Sequence, residues 1–286
     1  MNARILDVPA DTYHSDLVAD RPTLSKSVIQ ILLNASPAHA RHAHPRLNPN
    51  YERTAESKFD VGNACHQVFL EGIDAVAVLP YKDFKTNAAK DDRDQARADG
   101  RIPLLEKDYV RVEEMLVALR SRLALLPAPM FTDGQPEATI VWEDRGVACR
   151  ARLDWLTDDH REIHDIKTTS RSAKPEHWIR SSLFSIGADV QAQFYSRGIE
   201  AITGTRPEFS FYVIEDHAPY AGSIVRMSPA VCDLADRKIN RALDLWRTCL
   251  EEDNWPAYDQ RAAYAELLPW MESQWLEREM REEVAA

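Results

Sequence analysis

The sequence is poor in the residues that metal clusters and phosphate-binding loops need. Its four cysteines are far apart and form no Cys-x-x-Cys pair, which excludes a zinc ribbon and predicts no iron–sulfur cluster. Glycine occurs only nine times, and the sequence has no glycine-rich phosphate loop or dinucleotide fingerprint. We therefore expect reduced, mostly buried thiols and no nucleotide-binding fold of those two types.

Long apolar runs and a signal segment are also absent. No run approaches the roughly 18–20 apolar residues that a membrane helix requires. The N-terminus "MNARILDVPADTYHSD" has no apolar core of the kind found in signal peptides, so a cytoplasmic location and no membrane partner are expected. The net charge of −11 argues against a generally basic, DNA-attracting surface. A local basic groove is still compatible with it, because affinity depends on where the charges lie.

The patterns that are present predict one large folded domain. Hydrophobic residues make up 44% of the chain and charged residues 28%, which is ample for a core. A period-two pattern runs from Ala138 to Lys167, between helical segments on both sides, and a second hairpin follows. This order predicts an α/β fold with a central mixed sheet flanked by helices. The predicted domain spans 1–286, with core motifs at about 59–215 and helical N- and C-terminal parts packed on it.

Two neighbouring predicted strands, "GVACRARLDWL" and "REIHDIK", carry acids on one face. If their turn is centred on Asp159–His160, Asp154 lies opposite Asp165, with Cβ atoms about 5 Å apart. Lys167 then lies beside them on the same face. Strict alternation places Trp155 on the opposite face, where we expect it to be buried.

This arrangement has two interpretations. Paired carboxylates suit a hard divalent cation such as Mg²⁺, which prefers oxygen ligands. A lysine beside the cation can orient an attacking water or stabilise the charge on a pentacovalent phosphorus, as phosphodiester hydrolysis requires. The simpler interpretation is an exposed hairpin with a weakly stabilising Asp–Lys pair. The spacing alone does not exclude it.

The order of motifs along the chain resembles the PD-(D/E)xK nuclease superfamily, in its RecB-like branch. It is most similar to the nuclease domain of RecE-type exonucleases (exodeoxyribonuclease VIII) and their phage relatives. The resemblance covers about Leu24 to Trp270 and depends on these segments, in order: "LSKSVIQILLNASPAHAR", "GNACHQVFLEG", "CRARLDWL" with "DIKTT", "QAQFY" and "NWPAYDQRAAYAELLPW". The chain departs from the pattern in having Asp165 where many members have Glu, and Leu153 in place of the proline. The resemblance implies a restriction-endonuclease-like α/β core.

The resemblance further implies a metal centre at the hairpin of the two predicted strands that carry Asp154 and Asp165, which we call the acidic hairpin. Asp154 and Asp165 would hold Mg²⁺, with Mn²⁺ as a substitute, and the backbone carbonyl of Ile166 would be a further ligand. Lys167 would activate or position the attacking water. His66 would be a metal ligand or lie beside the metal. Judged on its helix alone, it could instead be a core or capping histidine.

The resemblance assigns substrate contacts to residues around that centre. Gln191 and Tyr195, one helical turn apart, would contact the DNA end or brace the catalytic strand, although ordinary packing also explains them. Arg152, on the acidic face, would meet phosphates or neutralise the aspartates. Glu137 corresponds either to an upstream acid of these nucleases or to an exposed acid at a strand edge.

The expected function is that of a Mg²⁺-dependent exonuclease acting on linear double-stranded DNA. The resemblance implies 5′-to-3′ polarity, a role in DNA end resection for homologous recombination, and a phage gene expressed in the cytoplasm of a bacterial host. It also implies a single-strand annealing partner and a ring-shaped homo-oligomer. The alternatives are a related nuclease with endonucleolytic or single-strand specificity, and a DNA-binding scaffold that has lost catalysis. The intact set of Asp154, Asp165 and Lys167 argues against the scaffold.

Overall fold

A computed structural model of the protein describes residues 2–52 and 61–285. The chain divides into two compact units, Met1–Pro256 and Ala257–Ala286. In its described residues the second unit contains a helix at Pro269–Ala285, where the sequence predicts the last helix. That this tail packs on a single domain spanning 1–286 stays a prediction. The start of the predicted histidine-bearing helix, 56–60, lies outside the described residues.

Six strands of the first unit form a mixed sheet in the order β1-β4-β5-β6-β7-β8. Neighbouring strands are antiparallel except β6 and β7, which are parallel, and β2 and β3 form a separate parallel pair. The strands are β1 (Arg4–Leu6), β2 (Val76–Leu79), β3 (Ile102–Leu105), β4 (Gly134–Asp144), β5 (Val147–Thr157), β6 (Glu162–Thr169), β7 (Glu208–Glu215) and β8 (Gly222–Val225).

The described helices lie before, between and after the strands, as the predicted order of elements requires. None of them, within the described residues, is long and apolar enough to cross a membrane. They are α1 (Ala10–His14), α2 (Lys26–Asn34), α3 (Pro37–His42), α4 (Val61–Glu71), α5 (Asn87–Ala98), α6 (Glu106–Leu123), α7 (Pro175–Trp178), α8 (Ala188–Thr203), α9 (Pro229–Glu252) and α10 (Pro269–Ala285). A π-helical turn, Ile179–Leu183, joins α7 to the loop before α8.

Helices cover both faces of the six-stranded sheet. Along β7, Phe209, Phe211 and Val213 pack in one core cluster with α2, α8 and α9, whereas Tyr212 and Ile214 pack in a second cluster with α4 and α6. This alternation follows from the period-two geometry of a strand that is buried on both faces. The structure confirms the predicted α/β fold with a central mixed sheet flanked by helices.

Helix α8 is the crossover between the parallel strands β6 and β7, and it is buried along most of its length. Gly198 allows the close approach of this helix to β4, because a Cβ at that position would lie 2.5 Å from Ile140 Cδ1 and 3.0 Å from the Trp142 ring. The helix ends at Gly204, which adopts the left-handed conformation with φ +79°. The crossover therefore packs α8 closely on the sheet, where Gln191 reaches Asp165 on β6.

The prediction that Trp155 is buried is wrong. It is only partly buried and packs with the second core cluster, whereas Leu153 and Leu156 both lie in the first. Alternation along β5 therefore shifts by one residue near Asp154. At the level of Asp154 the pairing between β4 and β5 skips Glu137, whose φ is +55°. This local irregularity re-aims the side chains of β5 at the acidic hairpin, as bulges commonly do.

Candidate metal and catalytic centre

The hairpin of β5 and β6 has the predicted register. Trp155 pairs with His164 and Leu156 with Ile163, and the same offset places Asp154 level with Asp165. The Ile166 backbone N–H donates a hydrogen bond to Asp154 Oδ2 at 3.0 Å. The predicted register, with a turn centred on Asp159–His160, is therefore confirmed.

His66 lies at the acidic hairpin. It projects from α4, and its Nε2 is 2.8 Å from Asp154 Oδ2. Burial would lower the pKa of His66, but the Asp154 carboxylate raises it above 6.5 on balance. The side chain is 28% exposed, so it is neither a core histidine nor a simple helix cap. Packing of α4 across β6 brings it to Asp154 from 88 residues earlier in the chain.

Asp165 is fully buried and held from two sides. Its Oδ1 forms an ion pair with Lys167 Nζ, and its Oδ2 accepts a hydrogen bond from Gln191 Nε2 on α8. The lysine is also 5.8 Å from the centre of the Phe211 ring. Gln191 thus braces the carboxylate of the second strand, which is one of the two contacts that the resemblance implies for it.

The two aspartates are coupled through their charges. Burial raises the pKa of Asp165 and the charge of Asp154 adds to this, giving a value of about 6 despite the nearby Lys167. Burial would also raise the pKa of Asp154, but His66, Lys167 and the Ile166 N–H bring it below its ordinary value. A cation between such carboxylates is favourable, because positive charge stabilises the ionised form of both.

Glu137 adds a third acid to the centre. Ligand atoms of His66, Glu137 and Asp154 all lie within 4.8 Å of one another. Burial and the charge of Asp154 raise the pKa of Glu137, although Arg152 opposes them. The glutamate side chain is only 18% exposed, so it is not an exposed edge acid. This set of three donors fits a divalent cation that accepts carboxylate oxygens and an imidazole nitrogen, and Asp165, level with Asp154 on β6, is not one of the three.

Arg152 and Tyr195 surround this centre. The Arg152 guanidinium donates to the Glu137 carboxylate and, at 3.1 Å, to Thr139 Oγ1, which fits a neutralising role. Tyr195 is 7% exposed, and its ring lies 6.5 Å from that of Phe209. Burial raises the pKa of the Tyr195 phenol well above its ordinary value, and the charges of nearby acids add to this. Contacts of either residue with DNA stay predictions.

Lys26 is a site residue that sequence reasoning missed. It is the first residue of α2, and its Nζ donates a hydrogen bond to the backbone carbonyl of Ile186 at 2.9 Å. Burial and the positive charge of Lys167 lower its pKa to about 8. Lys26 belongs to the "LSKS" segment that carries part of the resemblance. That segment alone does not reveal that α2 reaches the hairpin more than a hundred residues later.

We expect Mn²⁺ to raise the melting temperature of the wild-type protein. A ligand at 100 times its Kd stabilises the folded state by about 2.7 kcal/mol, which corresponds to about 5–10 °C for a domain of this size. Asp154→Asn should lose most of this shift, whereas Asp99→Asn, at the exposed C-terminal end of α5, should retain it. Calorimetry with and without Mn²⁺ measures both. An equal shift in wild type and Asp154→Asn would place the cation elsewhere.

Comparisons with known proteins agree with this fold. Residues 25–267 match the family described as a PDDEXK-like domain of unknown function (DUF3799). A crystal structure of a "putative exonuclease" from Eubacterium rectale covers 94% of this chain and 98% of that chain, with a TM-score of 0.57 and 13% sequence identity. The crystal structure of SSO0001 is also 13% identical and covers 63% of this chain and 83% of that chain, but its TM-score of 0.26 supports no argument. No curated protein matches the sequence.

The family match includes α2, α4, the acidic hairpin and α8, which together form the centre described above. The similarity to the Eubacterium rectale structure, at its low identity, concerns the fold alone. The predicted PD-(D/E)xK superfamily is therefore confirmed at the level of the fold and the family. The chain belongs to the PDDEXK-like family DUF3799.

Proposed function

We propose that the protein is a Mg²⁺-dependent DNA exonuclease that hydrolyses linear double-stranded DNA from its 5′ ends. The observation that carries this proposal is the convergence of Asp154, Asp165, Lys167 and His66 at one hairpin, with two coupled carboxylates and a lysine in contact with one of them. An ordinary solvated hairpin does not explain a fully buried aspartate held by both a lysine and a glutamine.

The residues of the hairpin would hold the cation. Asp154 and Asp165 supply the negative charge, the Ile166 carbonyl a further oxygen, and His66 a nitrogen in its neutral form. When bound, Mg²⁺ would neutralise charge on the phosphate and lower the pKa of a coordinated water. Glu137, paired with Arg152, lies close enough to join the ligand set or to orient that water.

Lys167 supplies positive charge at this centre rather than a base. Burial would lower its pKa, but the charges of Asp165 and Asp154 raise it above its ordinary value, so the ammonium stays protonated at neutral pH. An ammonium cannot accept a proton from water. It can hold the attacking water by hydrogen bonding and stabilise the extra negative charge on a pentacovalent phosphorus. Gln191 keeps the Asp165 carboxylate oriented toward both Lys167 and the cation that it would hold.

The finer parts of the proposal are supported by the resemblance to RecE-type exonucleases. They are the 5′-to-3′ polarity, the role in end resection during homologous recombination, and the origin in a phage whose host is a bacterium. They also include a cytoplasmic location, a single-strand annealing partner and a ring of several subunits. Contacts of Gln191, Tyr195 and Arg152 with the DNA end belong to the same proposal.

The experiment that tests substrate and polarity uses linear duplex DNA labelled at either the 5′ or the 3′ end, with covalently closed circular DNA as the control. We expect Mg²⁺-dependent release of the 5′ label as mononucleotides or short oligonucleotides before the 3′ label, and an intact circle. Cleavage of the circle would favour the endonucleolytic alternative. Digestion of single strands alone would favour the single-strand alternative. DNA binding without any cleavage would favour the inactive scaffold.

A further inference from the structure

Two apolar side chains are exposed next to the candidate centre. Phe184 is 44% exposed and Ile186 is 40% exposed, in the turn that separates the π-helical residues from α8. We call Phe184 and Ile186 the apolar shelf. Neither side chain contributes to the core clusters of the described residues, so their exposure needs an explanation other than folding.

The backbone of the apolar shelf is held in place from α2. Lys26 Nζ and Gln30 Nε2 both donate hydrogen bonds to the Ile186 carbonyl, at 2.9 and 2.7 Å. The next residue, Gly187, has φ +65°, and a Cβ there would lie 2.1 Å from Gln30 Nε2. The close packing of Gln30 against this glycine fixes the turn. The shelf is therefore a rigid, exposed surface rather than a loose loop.

The apolar shelf lies close to the reacting position. The Gly187 carbonyl accepts the first α8 hydrogen bond from the Gln191 N–H at 3.0 Å, and the Gln191 side chain holds Asp165. Gly187, the residue that follows the shelf, is therefore one helical turn, about 5.4 Å along the axis, from the residue that braces the acid. Successive bases of B-DNA are about 3.4 Å apart along each strand. Lys26, which holds the shelf carbonyl, also lies near enough to Lys167 and Asp165 for their charges to act on it, so a strand bound at Asp165 would reach the shelf within a few nucleotides.

Two lysines lie at the apolar shelf, and one of them is paired with an acid. Lys238 Nζ lies 5.2 Å from the centre of the Phe184 ring and 2.6 Å from Asp189 Oδ2. Among the described residues, no carboxylate oxygen lies within 4.0 Å of Lys26 Nζ, although the charges of Lys167, Asp165 and Asp189 act on it from farther away. A half-buried ammonium group without a carboxylate partner, beside an exposed aromatic ring, matches the chemistry of a nucleotide. Its base stacks on aromatic rings and its phosphate binds cations.

We propose that the apolar shelf stacks an unpaired base of the nucleotide next to the scissile phosphate, while Lys26 binds a phosphate of the same strand. This inference rests on the proposed nuclease function. It adds that the enzyme engages the terminal nucleotides in an opened, unpaired state. Stacking on Phe184 offsets part of the free energy that is lost when the terminal base pair opens.

The test compares Phe184→Ala with Leu125→Ala, a matched removal of an apolar side chain that is 84% exposed on another surface. We expect Phe184→Ala to lower kcat/KM on blunt duplex DNA about tenfold, the size of one base stack, and Phe184→Trp to retain activity. Leu125→Ala should stay within twofold of wild type. Lys26→Ala should reduce the slope of log K against log[salt] by about one.

A direct readout uses DNA with 2-aminopurine at the 5′-terminal position, bound to Lys167→Ala so that it is not degraded. We expect the fluorescence of the base to change on binding and this change to be lost in Lys167→Ala/Phe184→Ala. If wild type cleaves DNA but Phe184→Ala matches Leu125→Ala and leaves the fluorescence change intact, the stacking inference is wrong and the nuclease stands. If wild type neither binds nor cleaves DNA, both proposals are wrong. A change in sedimentation alone would assign the shelf to contacts between copies of the chain and would also overturn the inference.

Discussion

Replacement of Lys167 by alanine is expected to lower the rate of DNA hydrolysis by a factor of about 10³. The ammonium is the only positive charge in direct contact with Asp165 among the described residues, and the charge on the phosphorus would lose its stabilisation. Removal of one preorganised charge or donor at a reacting centre typically costs a factor of 10²–10³, and loss of water positioning adds to it. Single-turnover rates on end-labelled duplex DNA measure this effect.

The matched control for this prediction is Lys85→Ala. Lys85 is 87% exposed in a surface pair with Asp83, so its removal should leave the rate unchanged. Lys167→Ala also removes the counter-charge of Asp165, so melting temperatures must show that the variant is folded under assay conditions. If folded Lys167→Ala cleaves as fast as Lys85→Ala, Lys167 has no role in the mechanism.

The second large effect concerns stability, and we expect Asp16→Ala to lower the free energy of unfolding by about 3–5 kcal/mol. Asp16 is fully buried and forms an ion pair with the guanidinium of Arg150 on β5. It also accepts hydrogen bonds from the Thr23 backbone N–H at 3.0 Å and from Thr23 Oγ1. His44 Nε2 lies 3.3 Å from the same carboxylate. Truncation leaves a buried arginine without its counter-charge, which is far costlier than loss of an exposed pair.

Two further variants separate this explanation from simple loss of packing. The double variant Asp16→Ala/Arg150→Met should recover much of the lost stability, because no charge is then left buried and unpaired. Asp244→Ala, which breaks the exposed pairs with Arg145 and Arg247, should cost about 1 kcal/mol or less. Urea denaturation measures all of these variants. A loss of under 1 kcal/mol in Asp16→Ala would show that the buried pair contributes little.

The same carboxylate makes stability depend on pH. Burial would raise the pKa of Asp16, but His44, Arg150 and Thr23 bring it below its ordinary value of 3.8. A lowered pKa means that the stabilisation is fully present above pH 3.8 and is lost as the pH falls through the folded-state value. The stability of Asp16→Ala should therefore fall less steeply below pH 4 than that of wild type.

Local patterns in the sequence were sufficient to predict most of the elements and the acidic pair. The period-two segments with a turn at 159–160 predict the register of β5 and β6, because the turn that joins two strands of a hairpin fixes the register of their pairing. Helix α9 begins at Pro229 directly after Ser228, and this cap-then-proline order is a local signal for the start of a helix. Gln191 meets the acid because α8 belongs to the crossover from β6 to the parallel strand β7 and packs back on the sheet.

Features that depend on distant contacts could not be predicted in this way. The shift of alternation that exposes part of Trp155 arises opposite Glu137, which has a positive φ. A positive φ is uncommon for glutamate, so the residue type does not predict this irregularity. The approach of Lys26 to Lys167 and the pair of Asp16 with Arg150 join segments more than a hundred residues apart. Such contacts follow from how the layers pack, and periodicity along one segment carries no information about them.

The most direct test of the metal-dependent centre measures release of acid-soluble nucleotides from uniformly labelled linear duplex DNA. Wild type, Asp154→Asn and Asp99→Asn are compared with Mg²⁺ and with chelator, and melting temperatures confirm that each is folded. We predict release by wild type and Asp99→Asn with Mg²⁺ only, and a rate at least about 10²-fold lower for Asp154→Asn. Folded wild type that releases nothing with either Mg²⁺ or Mn²⁺, or release by Asp154→Asn at the wild-type rate, would contradict the assignment of this hairpin as a nuclease centre.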